Sequence, residues 1–440
     1  MAESTQNVLG RAIIKEAYIY NKDGVTLSIT DNLVSVEIYE DIYNPFVSCE
    51  MMLVDYDSLA KQFPLVGEEF FRFSYKSIEG KIVTYEFFLG TKDTAAMTET
   101  NAAKAYVLRG VTKERAFDTA KTVSRAFVGT YASIAGQIFD DFIKVDSDGY
   151  GFDFEPSRGV TRFTVPQLSP LQAIEYCKSR AIATGEARTP FTFFRSSEGY
   201  SFTSISGLFN RKGSEASAGV THTYAARQLP AEYDEKLSNG TKVDIVKFDI
   251  ASFYDTTEKI DRGSYNGDCY SFDLTTKAFT LKQRYNLVDQ GNKFQLGGQG
   301  YINRADFAGS FANTRCVAYY VPTDCAWEIN GDQSTQKDLY PDYVGEMSAY
   351  SNLISEYNIH YTIYGDSNVT AGQVMKINVP QSREQAGKGT NRGTQDKMYS
   401  GSFLCARTVH TFNFNENVDY YVHISAINGA RNHSIEDLRT

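Results

Sequence analysis

Short runs in which apolar and polar residues alternate dominate the first 111 residues. They are Asn32 to Tyr39 (NLVSVEIY), Val47 to Val54, Glu69 to Lys76, Ile82 to Leu89 and Ala103 to Arg109, all rich in Phe, Tyr and Val. Turn material separates them, as at Asn21-Lys22-Asp23-Gly24 and Glu79-Gly80. Alternation with a period of two predicts strands with one buried face, and this many at this spacing predict a closed or nearly closed antiparallel sheet. Closure also removes edges that would otherwise pair with other chains.

The pattern changes near Thr112. Thr130 is placed to cap a helix running to about Lys144, with Ile134, Ile138, Phe139 and Phe142 on one face. Ser169-Pro170-Leu171-Gln172 opens a second helix with the signature of a capping box, in which Ser and Gln satisfy backbone donors that the helix leaves unpaired. Its apolar stripe is Ala173, Ile174, Cys177 and Ala181. A hairpin follows, Phe191 to Arg195 and Tyr200 to Thr203, around a turn at Ser197-Glu198-Gly199. Residues 112–210 therefore read as a small α+β domain after a first β-barrel domain at 1–111.

Residues 211–240, polar and rich in Ala, Ser and Gly, read as a linker. Strand character returns at Val243 to Ile250 and Ala278 to Gln283. The Gly-, Asn- and Asp-rich stretch 285–342 yields no assignment. A helix is expected from Tyr343 to Tyr357, then strands at Ile359 to Tyr364, Gln373 to Val379, Gly401 to Thr408 and Tyr420 to Ile427. This places a second barrel in residues 241–284 and 358–430, interrupted by a loop-rich and helical insertion at 285–357. One internal echo hints at duplication. Tyr85 to Gly110 and Val374 to His410 each run strand, long polar loop, strand. The expected fold is mainly β with α+β: two antiparallel β-barrels and a smaller α/β domain.

Composition sharpens this picture. The chain of 440 residues is too long for one ordinary core, and it holds 30 Tyr and 29 Phe against one Trp and 10 Pro. Such aromatic wealth suits extended structure with large side chains in flat layers. Lys and Arg number 44 and Asp and Glu 54, a formal net charge of −10, which disfavours wrapping nucleic acid because phosphate contacts need clustered cations. The six cysteines (Cys49, Cys177, Cys269, Cys316, Cys325 and Cys405) form no CxxC pair, so reduced, mostly buried thiols are expected rather than a zinc site or disulfide scaffold. The N-terminus has no basic region followed by an apolar core, and no apolar run of about 18 residues occurs, so neither a signal peptide nor a spanning helix is expected.

Candidate chemistry fails residue by residue. His222, His360, His410, His423 and His433 have no metal-ligand spacing. Gly387-Lys388-Gly389-Thr390 is not a phosphate loop: Ser382 occupies the place of the leading Gly, and Gly389 that of the hydroxyl residue. Asp146-Ser147-Asp148-Gly149 is not a calcium loop, because its Gly comes too early and Ser157 stands where a bidentate Glu is needed. Ser196 lacks the leading glycine of a nucleophile elbow. No catalytic, cofactor-binding or metal-ligating residue is assigned.

Three segments carry a resemblance. Glu37 to Tyr75 resembles the first domain of the central baseplate hub protein of contractile-tailed phages. In that family a strand ends in an acidic turn, a second strand ends in an aspartate, and a Pro-Gly-Glu turn leads into the third. Here those pieces are Tyr39-Glu40-Asp41-Ile42, Leu53-Val54-Asp55 and Phe63-Pro64-Leu65-Val66-Gly67-Glu68-Glu69. Leu168 to Phe209 is similar to the family's capped helix and following hairpin, with Gly199 at the turn. TAGQVMKINVPQ, DKMYSGSFLCARTVHTF and YYVHISAI resemble its final barrel strands. The three segments cover about half the chain, in the family's order.

The resemblance implies a structural virion protein without turnover or cofactor. Three subunits, each with two tube-like barrels, would form a ring that docks onto both a six-fold tail tube and a three-fold spike. The implied partners are further copies of the chain, the tail tube protein, the central spike protein and the baseplate wedge proteins. DNA would pass without specific binding through a channel lined by both barrels, whose wall the net negative charge keeps unsticky. The loop Gln381 to Met398 is expected to dock a neighbouring tube ring, with a disordered surface loop as the alternative. The implied location is the phage tail baseplate, after synthesis in the host cytoplasm. The alternatives are a tail-associated cell-wall-degrading enzyme, with residues 285–342 as its only room, and a glycan-binding adhesin, which the single Trp327 disfavours.

Overall fold

The computed structural model describes residues 10–55, 63, 65–78, 80–97, 104–144, 151–185, 188–211, 221–224, 242–252, 256–264, 266–273, 277–286, 317–323, 340–354, 357–379, 396, 399–415 and 417–428. The first strands are β1 (Ala12–Tyr20), β2 (Thr26–Ser28), β3 (Leu33–Asp41), β4 (Ser48–Asp55), β5 (Glu69–Ser77), β6 (Val83–Met97) and β7 (Lys104–Thr112). They pair antiparallel in the order β3-β4-β7-β6-β5-β1-β2. The alternation works as expected: Val36, Ile38, Met51, Leu53, Phe71, Phe73, Tyr85 and Phe87 are buried, while Glu37 and Glu50 lie on the other face. Strand β1 is absent from the sequence reading. Its register shifts between Ile14 and Glu16, and that bulge breaks the period by which a strand is recognised.

The α+β unit contains β8 (Ala126–Gly129), β9 (Phe152–Phe154), β10 (Thr161–Thr164), β11 (Phe191–Ser196) and β12 (Gly199–Ser204). Thr130 caps the helix Tyr131–Ile138 by accepting from the Ser133 N–H, and one wider π turn, Phe139–Ile143, continues it. Ser169 and Gln172 form the capping box of the helix Pro170–Arg180, whose Ala173, Ile174 and Cys177 are buried. Asp118 adds to that cap, its carboxylate accepting from Ser169 Oγ at 2.7 Å and from the Leu171 N–H at 2.7 Å. Gly199 turns the β11–β12 hairpin at φ +118°, where a Cβ would also lie 3.0 Å from the Gly151 carbonyl oxygen.

The remaining strands are β13 (Thr221–Thr223), β14 (Lys242–Ser252), β15 (Asn266–Asp273), β16 (Ala278–Asn286), β17 (Val317–Thr323), β18 (Tyr357–Tyr364), β19 (Val374–Asn378), β20 (Gly401–Phe414) and β21 (Val418–Asn428). Six of them close a barrel in the order β13-β14-β18-β21-β20-β19, with β19 returning to β13. The protein is thus mainly β, built on a closed six-stranded barrel with further sheets.

Three details differ from the sequence reading. Strand β13 lies within the stretch read as linker, and it pairs parallel with both neighbours, so the barrel is not purely antiparallel. Its three residues, Thr-His-Thr, carry no apolar alternation to mark it. Within the segment 241–284 assigned to the second barrel, β15 and most of β16 form instead a separate three-stranded sheet with β17. Finally, the internal correspondence runs one strand later than the echo. The order β3-β4-β7-β6-β5 of the first arc is repeated, with every pair antiparallel, as β14-β18-β21-β20-β19. The β6–β7 hairpin therefore matches β20–β21.

The two halves are one sheet. Strand β20 pairs with β3 from Arg407↔Asp41 to Asn413↔Ser35, and β1 meets β21 at Arg11↔Asp419. The first arc thus closes around the far half of the β20–β21 hairpin. Its aromatics pack directly on that hairpin, with ring centroids 4.7 Å apart for Tyr75 and Phe412 and 5.2 Å for Phe73 and Phe412. One continuous core therefore spans both halves.

Candidate assembly surface and its buried anchors

Cross-strand register defines the outer face of the shared sheet. One row runs Lys247, Thr362, His423, Val409, Tyr39, Ser48, Val111 across seven strands. The next runs Tyr364, Tyr421, Thr411, Glu37, Glu50, Arg109. Three opposite pairs of charges lie on this face, Lys247 with Asp249 at 3.0 Å, Arg109 with Glu50 at 2.9 Å and Arg407 with Asp41 at 2.6 Å, beside the carboxylate of Glu37. Exposed pairs of this kind contribute little stability, but they leave the face polar and nearly neutral. The Tyr39 hydroxyl donates to Glu37; burial, helped by that carboxylate, holds its phenol far above the ordinary range. His423 Nδ1 lies 2.9 Å from Thr362 Oγ1, and burial holds the imidazole below its ordinary range.

Behind this face the segments are tied together by buried polar groups. Glu40, the acidic residue at the end of β3, is fully buried and accepts five hydrogen bonds. The donors are the Tyr85 hydroxyl, the Ser197 N–H at 2.8 Å, Thr370 Oγ1 at 2.6 Å, the Ala371 N–H at 2.9 Å and Thr408 Oγ1 at 3.1 Å. One carboxylate thereby joins the first arc, the β11–β12 turn and the second barrel. Beside it Arg195, almost fully buried, pairs with buried Glu114 and lies against the rings of Tyr85 and Tyr200. Glu69 closes the turn before β5, accepting from the Val66 N–H at 2.7 Å and the Gly67 N–H at 2.9 Å. The residues quoted for the resemblance thus hold turns and junctions.

His410 sits in the shared core, with Nδ1 2.8 Å from the Tyr420 hydroxyl. Burial lowers its pKa below the ordinary value; Glu40 opposes this and Lys81 adds to it. The unfolded chain therefore takes up this proton first. The stability due to neutral His410 is present above about pH 6.5 and declines as pH falls below that value toward the folded pKa. The urea midpoint is expected to drop between pH 7.5 and 5.5, and to drop less in His410→Gln. Equal drops in both proteins would show that His410 does not contribute.

The other sequence candidates are dispersed. Ser196 is buried in β11, and its Oγ accepts from the Glu198 N–H at 3.2 Å. His222 is buried against Tyr361, and His360 is exposed. The segments 146–149 and 387–390, together with His433, Trp327, Cys316 and Cys325, lie outside the described residues, as does the loop 381–398 except for Asp396 and the strand it precedes. Cys49, Cys177, Cys269 and Cys405 are buried thiols outside any disulfide; burial pushes Cys269 up to about 11. Among the described residues no His, Cys, Asp or Glu cluster is arranged to hold a metal ion, and no helix is long and apolar enough to cross a membrane.

No protein-family model matches the chain, and no curated protein matches it in sequence. Solved structures do. A tail protein from Neisseria meningitidis MC58 superimposes with a TM-score of 0.50 at 9% identity, covering 95% of this chain and 98% of its own. The 43 kDa tail protein of prophage MuSo2 from Shewanella oneidensis gives 0.50 at 9% identity, covering 94% and 98%. The chain has the fold of phage tail proteins. The E. coli c3393 protein, described as a type VI secretion component with similarity to phage T4 tail proteins, overlaps 97% of the chain at a TM-score of 0.42 and 9% identity. Identity this low accords with a tail-protein fold specified by alternation, bulges and junction contacts, which many sequences satisfy.

Proposed function

We propose that the chain is the hub subunit of a phage-type tail, a structural protein without turnover. Three copies, each with two matched barrels, form a collar that meets a six-fold tail tube on one side and a three-fold spike on the other. The observation that carries this reading is the repeated strand order, β3-β4-β7-β6-β5 and β14-β18-β21-β20-β19, joined into a single sheet by β20 and β3. A chain holding two like units side by side provides six from three copies, which is what matching three-fold to six-fold symmetry requires.

In this reading the outer face of the shared sheet lines the channel. Its paired charges, rather than a bare acidic surface, keep DNA phosphates from sticking, because Arg109, Lys247 and Arg407 are each already paired with a carboxylate. The baseplate wedge proteins contact the collar from outside, and the protein resides in the virion after assembly in the host cytoplasm. Light scattering on the purified full chain tests the reading. A mass three times that of the chain is expected. A monomer that cleaves peptidoglycan or binds glycans, and does not associate with tail proteins, would contradict it.

A further inference from the structure

The β20–β21 hairpin belongs to both halves of the chain at once. Its near part lies in the second barrel, where residues 401–404 pair with β19 and residues 421–428 with β18. Its far part closes the first arc. Residues 407–413 pair with β3, and β21 meets β1 where the Tyr420 N–H donates to the Gly10 carbonyl at 2.6 Å. Phe412 fills the space between these two seams, its ring centroid 5.2 Å from Phe73, 4.7 Å from Tyr75 and 4.5 Å from Tyr420. The loop after β18 makes room for this packing. The Gly365 N–H donates to the Tyr420 carbonyl at 2.8 Å, and a Cβ at Gly365 would overlap the Tyr420 ring.

Without the hairpin the first arc is an open sheet. Among the described residues no other strand pairs with the edge of β3 from Ser35 to Asp41, and Phe73 and Tyr75 lose the ring that covers them. The outer face is divided in the same way, because its rows pass from β18 to β3 only through β21 and β20. Arg407 follows Asp41 by 366 residues, so at ~5–20 residues per second the edge of β3 waits roughly 20–70 s for its partner during synthesis. The α+β unit differs. Its core contains Ile134, Ile174, Phe193 and Phe202 and no residue of β20 or β21 among those described. We propose that the β20–β21 hairpin is a lock: its seating closes the first arc and completes the outer face in one step. A chain whose second barrel is unfinished therefore does not present that face, and a chain halted before residue 401 never does. That copies assemble through this face rests on the hub reading; the lock itself does not.

Hydrogen exchange read by mass spectrometry on the full chain tests the lock. In the unmodified chain under increasing urea, β1, β5 and the hairpin are expected to open with one midpoint, and the helix Pro170–Arg180 with its own. Two variants loosen the lock from different sides. Phe412→Leu trims the ring at its tip, and Gly365→Ala, outside both the hairpin and the first arc, obstructs Tyr420. Each is expected to speed exchange in β1 and β5 on the order of 10-fold, by the same factor as in the far part of the hairpin, and to leave the helix Pro170–Arg180 unchanged. Faster exchange in the hairpin while β1 and β5 keep their unmodified rates overturns the lock. So does unchanged exchange throughout, or equal acceleration in Pro170–Arg180, which marks global unfolding. If neither variant folds, the urea series decides alone, and separate midpoints for the hairpin and for β1 and β5 overturn the proposal. Coincident opening in a chain that light scattering shows to be a monomer keeps the lock and overturns the hub reading.

Discussion

Replacing Glu40 with alanine is expected to destabilise the protein by about 3–5 kcal/mol. Its carboxylate accepts hydrogen bonds from Tyr85, Ser197, Thr370, Ala371 and Thr408, and Glu40 itself is fully buried. Removing the acceptor strands several buried donors together, and each stranded group costs about 1–3 kcal/mol when no water can replace its partner. Glu40→Gln keeps the shape but turns an NH2 group toward donors, so a smaller but clear loss is expected. Because the five donors come from three segments, the loss should also loosen their docking. Limited proteolysis of Glu40→Ala is expected to cut near the β11–β12 turn and the 365–373 loop before the barrels themselves open. A change of midpoint corresponding to less than about 1 kcal/mol would mean that these bonds do not hold the junction.

The second large effect concerns Arg195 and Glu114, whose side chains are both almost fully buried. Arg195→Met leaves Glu114 buried without its cation and is expected to cost about 3–5 kcal/mol, and Glu114→Leu a similar amount. The double variant removes both charges and fills the space with apolar atoms, so most of the stability should return. Buried ion pairs offset their own desolvation only narrowly, which is why breaking one is costly and replacing it whole is not. The cycle of four urea midpoints reads this directly. Additive losses in the double variant would show that the two residues act independently and that the contact with Tyr85 and Tyr200 is what stabilises Arg195.

Most barrel strands were legible because burial of one face imposes a period of two. Asn32–Tyr39, Glu69–Lys76 and Tyr420–Ile427 stand within a few residues of β3, β5 and β21. The capping box at Ser169 and Gln172 was equally plain, since it depends only on neighbours in the chain. What escaped was whatever local patterns do not encode. Strand β1 was hidden by its bulge, and β13 by being only three residues long. The β15–β16 pair was read into the barrel because its alternation says nothing about which sheet a strand joins. The anchors were the least legible. Nothing in the alternation around Glu40 or Arg195 marks either as a buried charge. Their partners lie far away in sequence, 330 residues for Thr370 and 81 for Glu114. The one available signal for Glu40 was its place in the acidic turn quoted for the hub resemblance.

The most direct measurement is electron cryo-microscopy of an intact tail that incorporates this chain. Three copies around a triad are expected, with six similar barrel sections in one ring between a six-fold tube and a three-fold spike. A ring to which each copy gives one barrel, six copies in place of three, or a location away from the tail axis would contradict the hub assignment.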